Sequence, residues 1–387
     1  MIIKNVLKYT EDYQFELSSI SIKEDKFIDN SYDDLLNDDT IDGEGCYAIP
    51  GLVDIHIHGC KGADFCDGTL NAIETLCAYE ALVGVTTICP ATMTLPKESL
   101  LQIASIANQY YELQANETIS NKRAFFAGIN MEGPFISPEK KGAQSALHIC
   151  QCDIDFFDQM QAASNNLIKM VDIAPEQENA LSFIDALSDK VRISIAHTTA
   201  DYITTKSAFE HGAKHVTHLY NAMPPLSHRE PGVIGAAIDD PECFVEVICD
   251  GIHIHPSMIR ATFSMFGAER IVLVSDSMRA TGMPDGTYTL GGQDVIVEGN
   301  TAKLVCDGSL AGSVTNLMDC LRVAVKQMNI PLESAVRCAT INPAKAIGID
   351  MNYGSITPGK YANLILLDQN LAIKKIFVNG HLLESYK

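Results

Sequence analysis

The chain has 387 residues, 47% of them hydrophobic and 20% charged, an ordinary globular composition that excludes collagen, coiled coil and disorder. At about 150 residues per domain, this length holds two or three domains, or one large barrel with an attachment. The 28 Lys and Arg against 49 Asp and Glu leave a formal charge of −21, a field that argues against nucleic acid and anionic membrane surfaces as partners.

From the amino end, the first 45 residues read as short strand-like pieces around an acidic loop, Asp29 to Asp42. They contain no apolar run long enough for a signal peptide. The most apolar stretch, Leu76 to Leu95, is interrupted by Glu80, Gly84 and Pro90, and reads as a helix stopped at Gly84 and then a β-branched strand. Short apolar runs then alternate with helical patterns, the signature of βα units around a parallel sheet. Candidate strands are Leu52–His58, Val85–Cys89, Phe125–Glu132, Ile168–Ile173, Val191–His197, His215–His218, Phe244–Asp250 and Ile271–Asp276. Eight of them predict a closed (β/α)8 TIM-like barrel. The alternative, a doubly wound open sheet, would bring a Gly-rich loop after its first strand, where this chain has His56-Ile-His58-Gly-Cys.

Thr287–Val305 alternates like a β-hairpin inserted before a helix near Ser313–Asn329. Beyond it, Gly354 to Asp368 reads as a turn and a strand, and Ile376-Phe-Val-Asn-Gly380 opens a hairpin. Neither end can bury a core alone, so residues 1–49 and 354–387 are expected to pair into one small β-sandwich domain beside a barrel of 50–353 that carries the hairpin insertion at about 287–305. The twelve cysteines are scattered without a CxxC pair, which reads as buried thiols in a reducing cytoplasm.

Residues two apart on a strand share a face, so His56 and His58 project together. Such a pair is a natural metal site, and equally it describes two surface histidines. Strand three ends at Glu132, five at His197, six at His218 before Asn221, seven at Asp250-Gly-Ile-His253 and eight at Asp276. In a TIM barrel these ends converge on one mouth where the active site is built. Histidine and carboxylate donors without thiolates suit zinc, iron(II), manganese or cobalt. His148, His211, His228, His255 and His381 read as solvated loop or helix residues, His215 as a packed or exposed strand start, and Cys60 and Cys66 as packing residues.

With Pro50-Gly-Leu-Val-Asp-Ile-His-Ile-His-Gly, Met131-Glu-Gly-Pro-Phe, Ala196-His197, Thr217-His-Leu-Tyr-Asn-Ala-Met, Asp250-Gly-Ile-His, Ser275-Asp276, Leu310-Ala-Gly-Ser and Pro358-Gly-Lys-Tyr-Ala-Asn-Leu, the chain resembles the amidohydrolase superfamily along its whole length. Within it the chain is similar to the N-acetylglucosamine-6-phosphate deacetylase family, to which Glu-Gly-Pro together with His-Leu-Tyr-Asn-Ala-Met is the more specific pointer. The resemblance implies that Glu132, His197 and His218 hold a principal divalent metal, that His56 and His58 can hold a second, and that Asp276 is the catalytic acid/base. It implies that Asn221, the Ala222 backbone, His253, Leu310 and Arg229 bind the sugar phosphate, with homodimers in which Arg229 reaches the neighbouring subunit's site. Gln144 falls where some members carry a His that orients the substrate carbonyl. Strand four ends without the Lys that bridges two metals in dihydroorotase-like enzymes, and Glu132 is the obvious substitute. The implied activity is deacetylation of N-acetylglucosamine 6-phosphate. Its rivals are another acylamino sugar phosphate, such as N-acetylgalactosamine 6-phosphate, and a barrel that binds a metabolite without catalysis.

Overall fold

The computed structural model describes residues 1–29, 40–116 and 122–383. Most of the expected acidic loop lies on 30–39, outside the described residues. The central strands are β1 (Leu52–Asp54), β2 (Val85–Ile88), β3 (Ile129–Glu132), β4 (Ile168–Ile173), β5 (Arg192–Ile195), β6 (His215–Val216), β7 (Phe244–Ile248) and β8 (Ile271–Val274). β3 to β8 form one parallel sheet in sequence order, and β1 pairs in parallel with β2. Two seams close the ring. At the β2/β3 seam Ala127 N donates to Ile88 O (2.8 Å) and Asn130 N to Pro90 O (2.9 Å). At the β8/β1 seam Asp276 N donates to His56 O (2.9 Å) and His58 N to Ser277 O (2.8 Å). The result is the expected barrel, with helices such as Leu70–Leu82, Ala180–Leu187 and Pro256–Phe266 between the strands.

Two predicted elements differ. The expected strand Phe125–Glu132 is broken: Phe125–Phe126 pairs with β2, while β3 pairs with β4. Gly128 makes the break, at φ +152° and so close to β4 that a Cβ there would lie 2.4 Å from Leu167 O. The expected hairpin is a three-stranded antiparallel meander, β9 (Gly286–Leu290), β10 (Gln293–Glu298) and β11 (Thr301–Leu304). Its second turn, at Gly299-Asn300, supplies the extra strand. The helix after it runs over Leu317–Lys326, capped by the Asn316 side chain.

Strand alternation sorts the barrel's side chains into two environments. In β4, Val171 and Ile173 join the helix-packed core, whereas Met170 joins a second cluster with Ile248 and Val274 that Ala344 and Ile347 also enter. Asp172 and, in β5, Ser194 share the inward parity of Met170; Asp172 is in register with Ser194, and Ser194 with His215. A fully buried polar layer, Asp172, Ser194, His215 and Glu246, therefore accompanies the apolar one inside the barrel.

The two chain ends meet in one mixed sheet, in which Leu364–Leu367 pairs with Tyr47–Pro50 on one side and Ile373–Val378 on the other. Its run Leu364-Ile-Leu-Leu367 is continuously apolar because both faces are covered. Leu364 and Leu366 pack with Ile3, Val6 and Phe27, while Ile365 and Leu367 join the main core. All twelve cysteines are free, and nine are buried. No helix among the described residues is long and apolar enough to cross a membrane.

Candidate active site

Regular pairing in β1 stops at Asp54, two residues short of His56, yet the two imidazoles still converge, their ring centres 5.4 Å apart. The other strand ends reach the same point by turning sharply. His197, His218 and Asp276, just beyond β5, β6 and β8, adopt φ of 42°, 29° and 49°. Side chains other than glycine rarely hold that left-handed region except at functional sites, at a cost of about 1–3 kcal/mol each. After Glu132 the chain escapes through Gly133 at φ +80°, where a Cβ would sit 2.2 Å from Thr94 Oγ1.

The ends meet tightly. Glu132 Oε1 lies 3.0 Å from His197 Nε2 and 3.3 Å from His218 Nε2, and those two nitrogens are 3.1 Å apart. His56 Nε2 is 3.6 Å from Glu132 Oε1 and 3.8 Å from Asp276 Oδ1. His58 Nε2 is 3.4 Å from Glu132 Oε2 and 3.2 Å from Asp276 Oδ1. All six residues are at most 8% exposed.

This packing fits a divalent cation. Ligands about 2.1 Å from a tetrahedral ion stand about 3.4 Å from one another, the spacing seen here. The ring protons point away from the centre: His197 Nδ1 donates to Lys140 O (2.8 Å) and His56 Nδ1 to the Glu246 carboxylate (2.9 Å). A neutral ring so held turns its Nε2 lone pair inward, and His56 Nε2 has no hydrogen-bond partner. Two sets can hold a metal on donor spacing alone, His56/Glu132/His218 and His56/His58/Asp276; His197 stands in contact with the first. Burial alone would raise the Glu132 carboxyl, but when the rings are protonated the His56 charge and the hydrogen bonds from His197 and His218 hold it well below the usual range. Asp276 is likewise held low when His58 and His56 are protonated: burial opposes ionisation, and the hydrogen bond from His58 with the charge of His56 outweighs it.

A cavity of about 340 Å³ opens over this cluster. Its lining includes Asn221, Ala222 and His253 together with the apolar Met93, Ala143, Leu290 and Leu310. His253 Nδ1 is 2.7 Å from Asp250 Oδ2. Gln144 spends both ends of its amide on the protein, accepting from Thr94 N (2.6 Å) and donating to Glu132 Oε2 (2.9 Å), so it braces Glu132. Arg229 is not among the residues that line this cavity; it is exposed, with Nη1 2.7 Å from His228 Nε2. A larger depression of about 700 Å³ lies at the amino ends of β4 and β5, away from the converging side chains. His215 is fully buried, so of the two readings offered for it the packed one holds.

Sequence reasoning passed over the apolar lining of Met93 and Leu290, whose residues carry no chemical signal. It also passed over Glu246, where a signal existed: one carboxylate in the otherwise apolar strand Phe244-Val-Glu-Val-Ile248.

A metal-competent cluster of histidines and acids at the carboxyl ends of barrel strands is a hydrolase-like site. The chain belongs to the amidohydrolase family, whose model matches residues 47–383. It is 37% identical over 335 residues to the N-acetylglucosamine-6-phosphate deacetylase of Bacillus subtilis (strain 168), covering 86% of this chain and 84% of that protein. It is 34% identical over 335 residues to the N-acetylgalactosamine-6-phosphate deacetylase of Escherichia coli O157:H7, covering 86% of each. Among solved structures it superposes at a TM-score of 0.89, with 31% identity over 99% of this chain and 98% of the other, on N-acetyl-D-glucosamine-6-phosphate deacetylase of Mycobacterium smegmatis in complex with N-acetyl-D-glucosamine-6-phosphate.

Proposed function

We propose that this chain hydrolyses the acetamide of N-acetyl-D-glucosamine 6-phosphate to D-glucosamine 6-phosphate and acetate. The observation that carries the reading is the convergence of Glu132, His197, His218, His56, His58 and Asp276 beneath one cavity lined by both polar and apolar residues. The deacetylases at 37% and 31% identity over most of the chain support it.

Glu132, His197 and His218 hold a principal divalent ion, with His56 and His58 able to hold a second; zinc, iron(II), manganese and cobalt all suit these donors. Such an ion, when bound, supplies Lewis-acid polarisation of the amide carbonyl and a lowered pKa for water. The protein's own groups do the rest. Asp276, held ionised at the cavity floor, takes a proton from the attacking water and returns it to the departing sugar nitrogen. Asn221, the Ala222 backbone and His253 bind the sugar phosphate, with Leu310 beside them in the cavity lining. Arg229 stands outside this chain's own cavity, so it serves the phosphate from a second copy of the chain, and the protein works as a homodimer. A guanidinium suits a phosphate, and the net charge of −21 leaves that anion few other partners. Free thiols support a cytoplasmic setting.

The relative that acts on the galacto epimer favours a second reading, the same chemistry on N-acetylgalactosamine 6-phosphate. Acetate release measured across both 6-phosphates and their unphosphorylated sugars tests both readings. Fastest turnover of the gluco 6-phosphate supports the first; fastest turnover of the galacto 6-phosphate replaces it; no acetate from any of the four rejects amide hydrolysis.

A further inference from the structure

Glu246 lies in the middle of β7, fully buried, in a strand whose other residues are apolar. A carboxylate in such a place is costly unless it is engaged by polar partners. One of its oxygens is engaged twice. Glu246 Oε2 accepts from His56 Nδ1 at 2.9 Å and from the backbone N–H of His218 at 3.1 Å. The other oxygen, Oε1, has no hydrogen-bond partner and faces His215 Nε2, also unpaired, at 3.9 Å. His215 is itself held from behind by Ser194 Oγ at 3.0 Å.

These contacts tie together two chain segments from different strands. His56 follows β1, and His218 follows β6 with its φ at 29°. His218 N is a buried donor, and its bond to Glu246 holds the backbone where the turn is sharpest. His56 has two ring nitrogens, and only the Nδ1–H form presents the Nε2 lone pair to Glu132 and Asp276. A carboxylate partner at Nδ1 selects that form, and the shared oxygen couples the ring orientation of His56 to the backbone position of His218.

We infer that Glu246 is a positioning residue which fixes the tautomer of His56 and the backbone of His218, and so prepares both imidazoles for divalent-cation binding. It touches neither substrate nor the reacting atoms. The inference rests on His56 and His218 being metal ligands, as proposed above. Outer carboxylates of this kind typically contribute 10- to 100-fold to metal affinity.

The test is metal binding, read independently of sugar turnover. Apo protein is titrated with cobalt(II) against a competing chelator, and the visible absorption of the bound ion reports its ligand geometry. Glu246→Gln should bind cobalt(II) about 10- to 100-fold more weakly than wild type, with a changed visible spectrum. Glu80→Gln, which alters another fully buried carboxylate outside the site, should match wild type in both. Equal affinity and spectrum for Glu246→Gln overturn the inference, and so does an equal loss in Glu80→Gln. Should Glu246→Gln fail to fold, the wild-type holoprotein still decides, because nitrogen-15 spectra of its labelled histidines show which His56 nitrogen carries the proton. Nδ1–H supports the role and Nε2–H overturns it. Wild-type protein that binds no cobalt(II) rejects the metal reading itself and this inference with it, whereas normal wild-type binding without sugar turnover rejects only the proposed substrate.

Discussion

Replacing Asp276 by Asn keeps the shape of the side chain and removes its capacity to take up and deliver a proton. In the structure this side chain is 11% exposed, with Oδ1 3.2 Å from His58 Nε2 and 3.8 Å from His56 Nε2. It is at once buried, charged and open to the cavity. Loss of a general acid/base costs about 100- to 10,000-fold in rate, which at 1.36 kcal/mol per tenfold is about 2.7 to 5.4 kcal/mol of activation free energy. The amide retains an oxygen near His58, and Glu132, His197 and His218 do not depend on Asp276 for their mutual contacts. The principal metal should therefore stay bound. The assay is acetate release at saturating N-acetylglucosamine 6-phosphate, with elemental analysis of the same sample. Turnover within a few-fold of wild type would remove Asp276 from the proton path. Lost activity accompanied by lost metal would reassign it as a ligand of the principal site.

Three further outcomes are expected. The double variant His56→Gln, His58→Gln should lose a second metal while keeping the one at Glu132, His197 and His218; unchanged stoichiometry in elemental analysis would make the pair structural. Arg229→Ala should reduce kcat/KM for the 6-phosphorylated sugar by about 1.5–3 kcal/mol, the range for hydrogen bonds to charged groups, and scarcely alter the slower turnover of the unphosphorylated sugar; equal losses on both would indicate damaged folding or pairing. Asp250→Asn should destabilise the protein more at pH 5.5 than at pH 9.5. Burial alone would lower the His253 imidazolium, but the Asp250 hydrogen bond and charge raise it above its ordinary value. A raised folded pKa adds stability that is present below the unfolded value of about 6.5 and disappears as pH rises through the folded value. Urea midpoints for wild type and variant at the two pH values check the sign, and an equal or reversed difference refutes it.

Much of the barrel was legible because βα periodicity is local. The Gly84 stop, the apolar strands and the polar residues at their ends are written in consecutive positions. The break at Gly128 was not, since it depends on β4 passing close to that residue, a contact distant in sequence. The six converging side chains could be read from strand ends, although β1 loses its regular pairing before His56 and the facing rule used for that pair holds only as far as Asp54. Glu246 escaped because strand reasoning looks to the ends for chemistry, whereas a mid-strand carboxylate acts on its neighbours through alternation. Leu290 and Met93 meet at the cavity only because the meander folds over the mouth, a packing outcome with no signature in either segment.

The central claim is amide hydrolysis of the amino sugar phosphate at this metal-competent cluster. A proton NMR time course of metal-replete wild-type protein with N-acetyl-D-glucosamine 6-phosphate tests it most directly. The acetamide methyl resonance should convert fully to free acetate, one acetate for each D-glucosamine 6-phosphate formed, and the conversion should stop on removal of metal by a chelator and resume on its return. A methyl resonance that stays unchanged with metal-replete protein would contradict the account, as would conversion that proceeds equally well after the metal has been stripped.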